Sequence, residues 1–322
     1  MKYLLIALLS YGLFIHNGYS SHVGIVVKKQ GEAELLTSPS KTVKGSGKKV
    51  LYQNTYYSLK KVRPGTKIQN GNILRTKAKS KLKIIFKNGD QFNVGEATAY
   101  KISWNPKKAK ENSGSTVNII YGSLRGIISK KGPRNNLKVE SKNAVMGVRG
   151  TDFHFFQRGT SGKAEISVLR GKVEVSNTKG TKKTKQVPQG FSAEVSMNKV
   201  LNKKEKANLV QVNKITKDLV VEIQKDSQIE KPEKIPSQVS HEIKKLEATA
   251  IKTTLEDIKE YQPEVYAEIE KKKVESIDEV NTQVMAKTFK KAPAKKVKKG
   301  LDELDMDLEE DAYDKYFKIE SE

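Results

Sequence analysis

The amino-acid sequence predicts an all-β N-terminal domain followed by an α-helical, partly disordered C-terminal region. Three observations carry that expectation. From about His22 to Met197 glycine is frequent, and Val, Ile and Phe alternate with polar residues, the two-residue period of strands. Turn signals recur there at roughly the 8–12-residue spacing of a sandwich, barrel or solenoid. After about Asn198 glycine is absent until Gly300, and apolar residues fall three and four apart, as on a helix face.

The elements follow in order. Lys2 is a short positive start, Tyr3 to Ile15 is apolar, and Gly18-Tyr19-Ser20 supplies small residues for cleavage. The run falls short of the roughly 20 residues that span a bilayer, so residues 1–20 are expected to be a cleaved signal peptide. No later stretch is apolar enough to span, so the mature chain is expected in the periplasm or secreted. The sequence contains no cysteine, which excludes disulfides, thiol catalysis, zinc–thiolate sites and a lipoprotein anchor.

Residues 22–197 are read as the β domain. Its clearest element is Leu82-Lys-Ile-Ile-Phe86, then Lys-Asn-Gly-Asp, then Gln91-Phe-Asn-Val94. A two-residue Asn88-Gly89 turn would place the apolar residues of the two strands on opposite faces. A three-residue loop with Gly89 left-handed pairs Ile84 with Phe92 and Leu82 with Val94, which one buried face requires. Ala164 to Leu169, Arg170-Gly171 and Lys172 to Val175 read as a second hairpin. Such a domain is expected to fold without the C-terminal part of the chain.

Residues 198–286 are read as lysine-rich amphipathic helices with three apolar stripes. The first is Leu209, Val212, Ile215, Leu219 and Ile223; the second runs from Val239 through Ile243, Leu246 and Ala250 to Leu255 and Ile258. The third is Val265, Ile269, Ile277, Val280 and Val284. Residues 287–322 form a bipolar tail, lysines then acids, expected to be disordered or to become helical on binding. Leu301 to Phe317 has the spacing of an acidic amphipathic helix.

The charge is lopsided, with 61 Lys+Arg against 37 Asp+Glu for a net +24. Only seven of the bases are arginine, whereas nucleic-acid readers lean on bidentate arginine and stacked aromatics. Nucleic acid is therefore not the expected partner. Catalysis also lacks a signature. His16, His22, His154 and His241 have no second ligand at motif spacing, no Gly-x-Ser-x-Gly occurs, and Asp90 and Asp152 could pair only through the tertiary fold. No enzyme activity, cofactor or metal is expected.

The stretch Asn143-Ala-Val-Met-Gly-Val-Arg-Gly-Thr-Asp-Phe153 raises the central question. With Gly71-Asn-Ile-Leu-Arg-Thr76, Ser80 to Leu82, Asn88-Gly89-Asp90, Ala97-Thr98, Gly122-Ser-Leu-Arg125 and Gly171-Lys-Val-Glu-Val175, it resembles the FecR family of bacterial exported regulators. Asn143 stands where that family has proline, and Asn88 where it has aspartate. The resemblance implies an all-β periplasmic domain of sandwich- or solenoid-like build. Signalling members of that family carry a cytoplasmic anti-sigma segment and a transmembrane helix before the domain, and a partner-docking subdomain after it. Here a signal peptide and lysine-rich helices stand in those places, so a sigma-factor-holding role is not expected to transfer.

Two readings of Gly147-Val148-Arg149-Gly150-Thr151 remain open. In the structural one, Gly147 and Gly150 supply positive φ, Arg149 turns inward to satisfy carbonyls, Val148 and Phe153 enter the core, and Thr151 starts a strand. In the functional one, Arg149 and the corner's N–H groups hold an anion. The expected function is a non-enzymatic exported module for interaction or regulation in the cell envelope, with an envelope protein as partner. The alternatives are an electrostatic binder of anionic cell-wall or lipopolysaccharide polymers, and a signalling component acting through a separate membrane partner.

Overall fold

The computed structural model describes residues 23–43, 46–103, 115–132, 136–159, 162–178, 184–196, 210–272, 274–293 and 316–320. Residues 1–20, expected to be a signal peptide, and residues 301–315 of the expected acidic helix lie outside them.

In chain order the first strands are β1 (Gly24–Gln30), β2 (Ala33–Ser40), β3 (Lys49–Tyr52), β4 (Thr55–Lys61) and β5 (Lys67–Ile68). Then come β6 (Ile73–Thr76), β7 (Lys81–Phe86), β8 (Gln91–Val94), β9 (Ala99–Ser103) and the long β10 (Thr116–Ile127). The series continues with β11 (Leu137–Glu140), β12 (Ala144–Val148), β13 (Asp152–Gln157), β14 (Ala164–Arg170) and β15 (Lys172–Asn177). β16 (Lys185–Pro188), β17 (Phe191–Val195) and β18 (Val210–Lys214) precede helices α1 (Lys217–Ser227), α2 (Ser237–Tyr261), α3 (Pro263–Glu270) and α4 (Ile277–Thr288). A last strand, β19, spans Lys318–Glu320.

The strands form two hydrogen-bonded sets. The first runs β5–β1–β7–β8–β10–β13–β14–β17–β18, antiparallel throughout. The second runs β19–β3–β4–β2–β6–β9–β10–β11–β12–β15–β16, in which only β10 and β11 are parallel. β10 belongs to both: Thr116 to Tyr121 pair with β9, and Gly122 to Ile127 pair with β13. The principal core draws on both sets, with Leu35, Leu74, Tyr100 and Val117 from the second and Phe92, Leu124, Phe153 and Phe155 from the first. Burying each such side chain contributes about 1.5–3 kcal/mol.

The β7–β8 hairpin has the register the alternation demanded, with Leu82 opposite Val94 and Ile84 opposite Phe92. Gly89 (φ 89°) takes the left-handed position, and its N–H donates to the Phe86 carbonyl at 2.9 Å. The premise of one buried face is corrected, however: all six residues of β7 are buried. The second face lies under helices. Ile25, Val27 and Ile85 pack with Ile243, Leu246, Ala250 and Ile258 of α2, Ile269 of α3, and Ile277, Val280 and Val284 of α4. The second and third stripes are thus spent on the sheet, and the third is split between α3 and α4. Ser276 caps α4 by accepting from the Glu279 N–H at 3.2 Å, while Pro263 opens α3.

Three further expectations are corrected. The stripe from Leu209 to Ile223 is not one helix; Val210 to Lys214 form β18, paired with β17, and α1 begins at Lys217 after the N-cap Thr216. The β region thus extends beyond residue 197, because Val210 and Val212 alternate as strand residues. Ala164–Val175 is not a hairpin. β14 pairs with β13 and β17, and β15 with β12 and β16, so the chain passes from one sheet to the other at Gly171. The tail, lastly, contains a strand, since β19 pairs with β3.

The Gly-Val-Arg-Gly-Thr corner as candidate functional site

The Gly147–Thr151 stretch carries the chain from β12 in the second sheet to β13 in the first. Val148 (2% exposed) and Phe153 (0%) enter the core, and Thr151 is fully buried just before β13. Gly150 has φ 61°, and a Cβ there would lie 2.5 Å from the Lys130 Cα, so both conformation and space require glycine. The second crossing packs against the first. Gly171 (φ 82°) comes so close that a Cβ would meet the Gly150 carbonyl oxygen at 3.0 Å. The Thr151 hydroxyl lies 3.1 Å from the Lys172 carbonyl and 3.2 Å from that of Arg149, either of which it can donate to. Gly150, Thr151 and Gly171 therefore form one unit, two sheet-to-sheet crossings nested together.

Two parts of the structural reading fail. Gly147 lies within β12, opposite Lys138 and Glu174, without positive φ and with open space where a Cβ would stand. Arg149 faces solvent rather than turning inward. The carbonyls it was expected to satisfy are met by the Thr151 hydroxyl and by backbone, as where the Ile128 N–H donates to the Thr151 carbonyl at 3.0 Å.

Arginines that do turn inward include those of the two Leu-Arg-Gly triplets. Arg125 holds Asp152 in a two-pronged pair, Nε to Oδ1 at 2.9 Å and Nη2 to Oδ2 at 2.8 Å, with both side chains under 5% exposed. Their placement follows from register. Leu124 points into the core, so Arg125, the next residue, points to the other face, beside His154 across the ladder. The pairing slips between Asp152 and Phe153, setting Asp152 opposite Arg170. Arg170, 1% exposed, reaches Asp257 of α2 at 3.4 Å. Burial pushes the Asp257 carboxyl above its ordinary range, and the nearby Asp90 adds to that.

The same face is tied to the other helices. His154 Nε2 lies 2.8 Å from Asp226 of α1. Burial works against the Asp226 anion, but the bond to His154, the Ser123 hydroxyl and the charge of Lys81 outweigh it and hold the carboxyl below its usual range. Lys83 is buried, which drives its ammonium pKa down against the opposing pull of Asp278 on α4. Lys28 holds the same carboxylate at 2.5 Å, and the two lysines set Asp278 at about 2 despite its own burial. Gln91 completes the contact, donating to the Thr254 hydroxyl at 3.0 Å and accepting from Asn281 at 2.9 Å.

Three of the groups with catalytic potential in the sequence have partners in the framework, whereas His241 is exposed and His16 and His22 lie outside the described residues. Asp152 is engaged by Arg125, His154 by Asp226, and Asp90 by the Ser129 N–H at 2.9 Å. Asp90 and Asp152 do not act as a pair. Among the described residues no cluster of three or more His, Asp or Glu side chains is placed to hold a metal ion. Nor is any of their helices long and apolar enough to cross a membrane.

A comparison with curated protein sequences returns no match. Two crystal structures of a candidate anti-sigma factor from Parabacteroides distasonis ATCC 8503, at 1.65 Å and 2.50 Å, each align with a TM-score of 0.36 and 12% identity. The aligned part covers 44% of this chain and 59% of theirs, a likeness that carries no argument about activity. The family model described as FecR protein matches residues 72–174. That span begins just before β6 and takes in the 81–94 hairpin, both Leu-Arg-Gly triplets and the nested crossings. The part of the chain from residue 72 to residue 174 is thus similar to the FecR domain.

Proposed function

We propose that this chain is a non-enzymatic regulatory or signalling module, exported after removal of residues 1–20, that acts by contact with a component of the cell envelope. The observation that supports it is the division of labour within the FecR-like part of the chain. Asp90, Asp152 and His154 are locked into framework contacts, while Arg149 stands outward at the crossing. In this reading Arg149 and the surrounding lysines are the contact for phosphate or carboxylate on an envelope protein or polymer. A separate membrane partner would carry any signal across the bilayer, as the family match favours.

The test is binding of the purified protein to anionic cell-wall and lipopolysaccharide preparations, with Arg149→Ala alongside. Binding that weakens in the variant, and disappears as salt shortens the Debye length below about 8 Å, supports an electrostatic contact. Salt-insensitive binding would point to a shaped protein interface, which crosslinking in cells would identify. An N-terminus other than one near Ser20, found by mass spectrometry of the mature protein, would remove the export premise.

A further inference from the structure

The end of the chain returns to its beginning. Phe317 is 2% exposed and stacks on the Tyr52 ring with centroids 5.0 Å apart, while Tyr316 stacks on Tyr121 at 6.1 Å. Beneath the two rings lie Leu36, Val50, Tyr57, Ile73 and Ile120, an apolar and aromatic groove apart from the principal core. The next three residues add a strand to the β3 edge, with Lys318 opposite Leu51, Ile319 opposite Val50 and Glu320 opposite Lys49. This is recognition by strand addition, in which the ladder gives affinity and side-chain pockets give selectivity.

The attachment is small. It has three residue pairs and two rings. The last described residues before it, Phe289 and Ala292, pack with Leu169 and Ile223 beside the first sheet, whereas the groove belongs to the second. Residues 294–315 join the two, and 22 residues can reach as far as about 75 Å. Presentation within one chain corresponds to an effective concentration on the order of millimolar, which a better-fitting segment can overcome. The charges are complementary as well. Residues 302–322 carry ten acids against two lysines, and residues 41–49, leading into β3, carry four lysines in nine.

We propose that the β3 edge and its aromatic groove are a docking site for an extended acidic protein segment bearing an aromatic pair, and that Tyr316–Glu320 are its resident, displaceable occupant. The site stands apart from the Arg149 contact and does not depend on the anionic-polymer reading. Release of the resident segment would also free the acidic stretch that the chain carries just before it.

The experiment measures binding of a fluorescent peptide of residues 308–322 to full-length protein at low salt. The Phe317→Ala chain, whose own tail is loosened, is expected to bind the peptide at least about tenfold more tightly than wild type, where the tethered tail competes. A peptide with alanine for that phenylalanine should not bind either chain, and added salt should weaken the authentic one. A chain ending at Lys315, which lacks the resident segment altogether, serves as a second loosened chain should Phe317→Ala melt early. Failure of both loosened chains to bind, or equal binding by wild type, overturns the proposal. Light scattering from about 1 to 100 µM should find wild type monomeric; a dimer that Phe317→Ala abolishes would give the groove to a second copy's tail and overturn the tethered arrangement.

Discussion

Replacing Gly150 with alanine isolates the crossing that organises the FecR-like part of the chain. The residue sits at φ 61°, where an L side chain costs about 1–2 kcal/mol. A Cβ would also stand 2.5 Å from the Lys130 Cα, a backbone atom that cannot swing aside. Relieving such an overlap costs a further 1–3 kcal/mol or so, and the strain reaches Gly171 because the crossings touch. The sum, about 2–5 kcal/mol, lowers the melting temperature of a domain this size by roughly 5–15 °C. Gly147→Ala is the control within the same motif. It has no positive φ and open space, so the loss of unfolded-state freedom should leave stability unchanged or raise it by up to about 1 kcal/mol. Arg149→Ala, at an exposed position, should melt as wild type. Thermal unfolding followed by circular dichroism reads all three. A Gly150→Ala protein that melts like wild type, or a Gly147→Ala protein that falls as far, would refute the nested-crossing account.

Three other outcomes rest on the contacts between sheet and helices. Asp152→Asn leaves Arg125 buried beside a neutral amide and should cost about 3–5 kcal/mol in urea titration, while an Arg125→Met, Asp152→Leu double change should recover much of it. A protein ending at Lys214 exposes Ile25, Val27 and Ile85 and strips Lys83 of Asp278, so it should bind a hydrophobic dye or aggregate; a cooperative monomeric melt would show the β region to be self-sufficient. Asp278 has a folded carboxyl pKa of about 2 against an ordinary 3.8, a lowered value, so its contribution is present above about pH 4 and lost as pH falls toward 2. The side chain is 44% exposed, so salt should blunt the effect. Helix loss followed by circular dichroism between pH 4 and 2 should be smaller for Asp278→Asn than for wild type.

What the sequence shows depends on how locally each feature is determined. The 81–94 hairpin is legible because Gly89 and the alternation on either side allow only one loop that keeps the apolar residues together. The same alternation is present in Val210-Gln-Val212, but the helix-like spacing that continues through Leu219 and Ile223 obscures it. The corner is half legible. Gly150 needs its conformation wherever the chain goes, whereas the direction of Arg149 depends on which residue satisfies the nearby carbonyls, and a threonine hydroxyl does so. The inward arginines did leave a signal. Arg125 follows the core residue Leu124, so strand parity assigns it to the opposite face. That assignment means burial only if something covers that face, and the covering helices begin about a hundred residues downstream, in α1 and α2. The bulge that brings Asp152 level with Arg170 leaves no mark in composition or periodicity.

The covering of β1 by α2 and α4 has a consequence for how the protein is born. Lys28 meets a carboxylate 250 residues later in the chain, and Ile25 and Val27 share a cluster with Val284. A ribosome adding about 5–20 residues each second needs roughly 12–50 s to deliver α4 after β1 has emerged. For that interval the nascent chain can pair its strands but cannot close the first sheet, and an apolar patch flanked by unpaired lysines stands open. The lysines are then an asset, since like charges keep two such half-finished chains apart until the helices arrive.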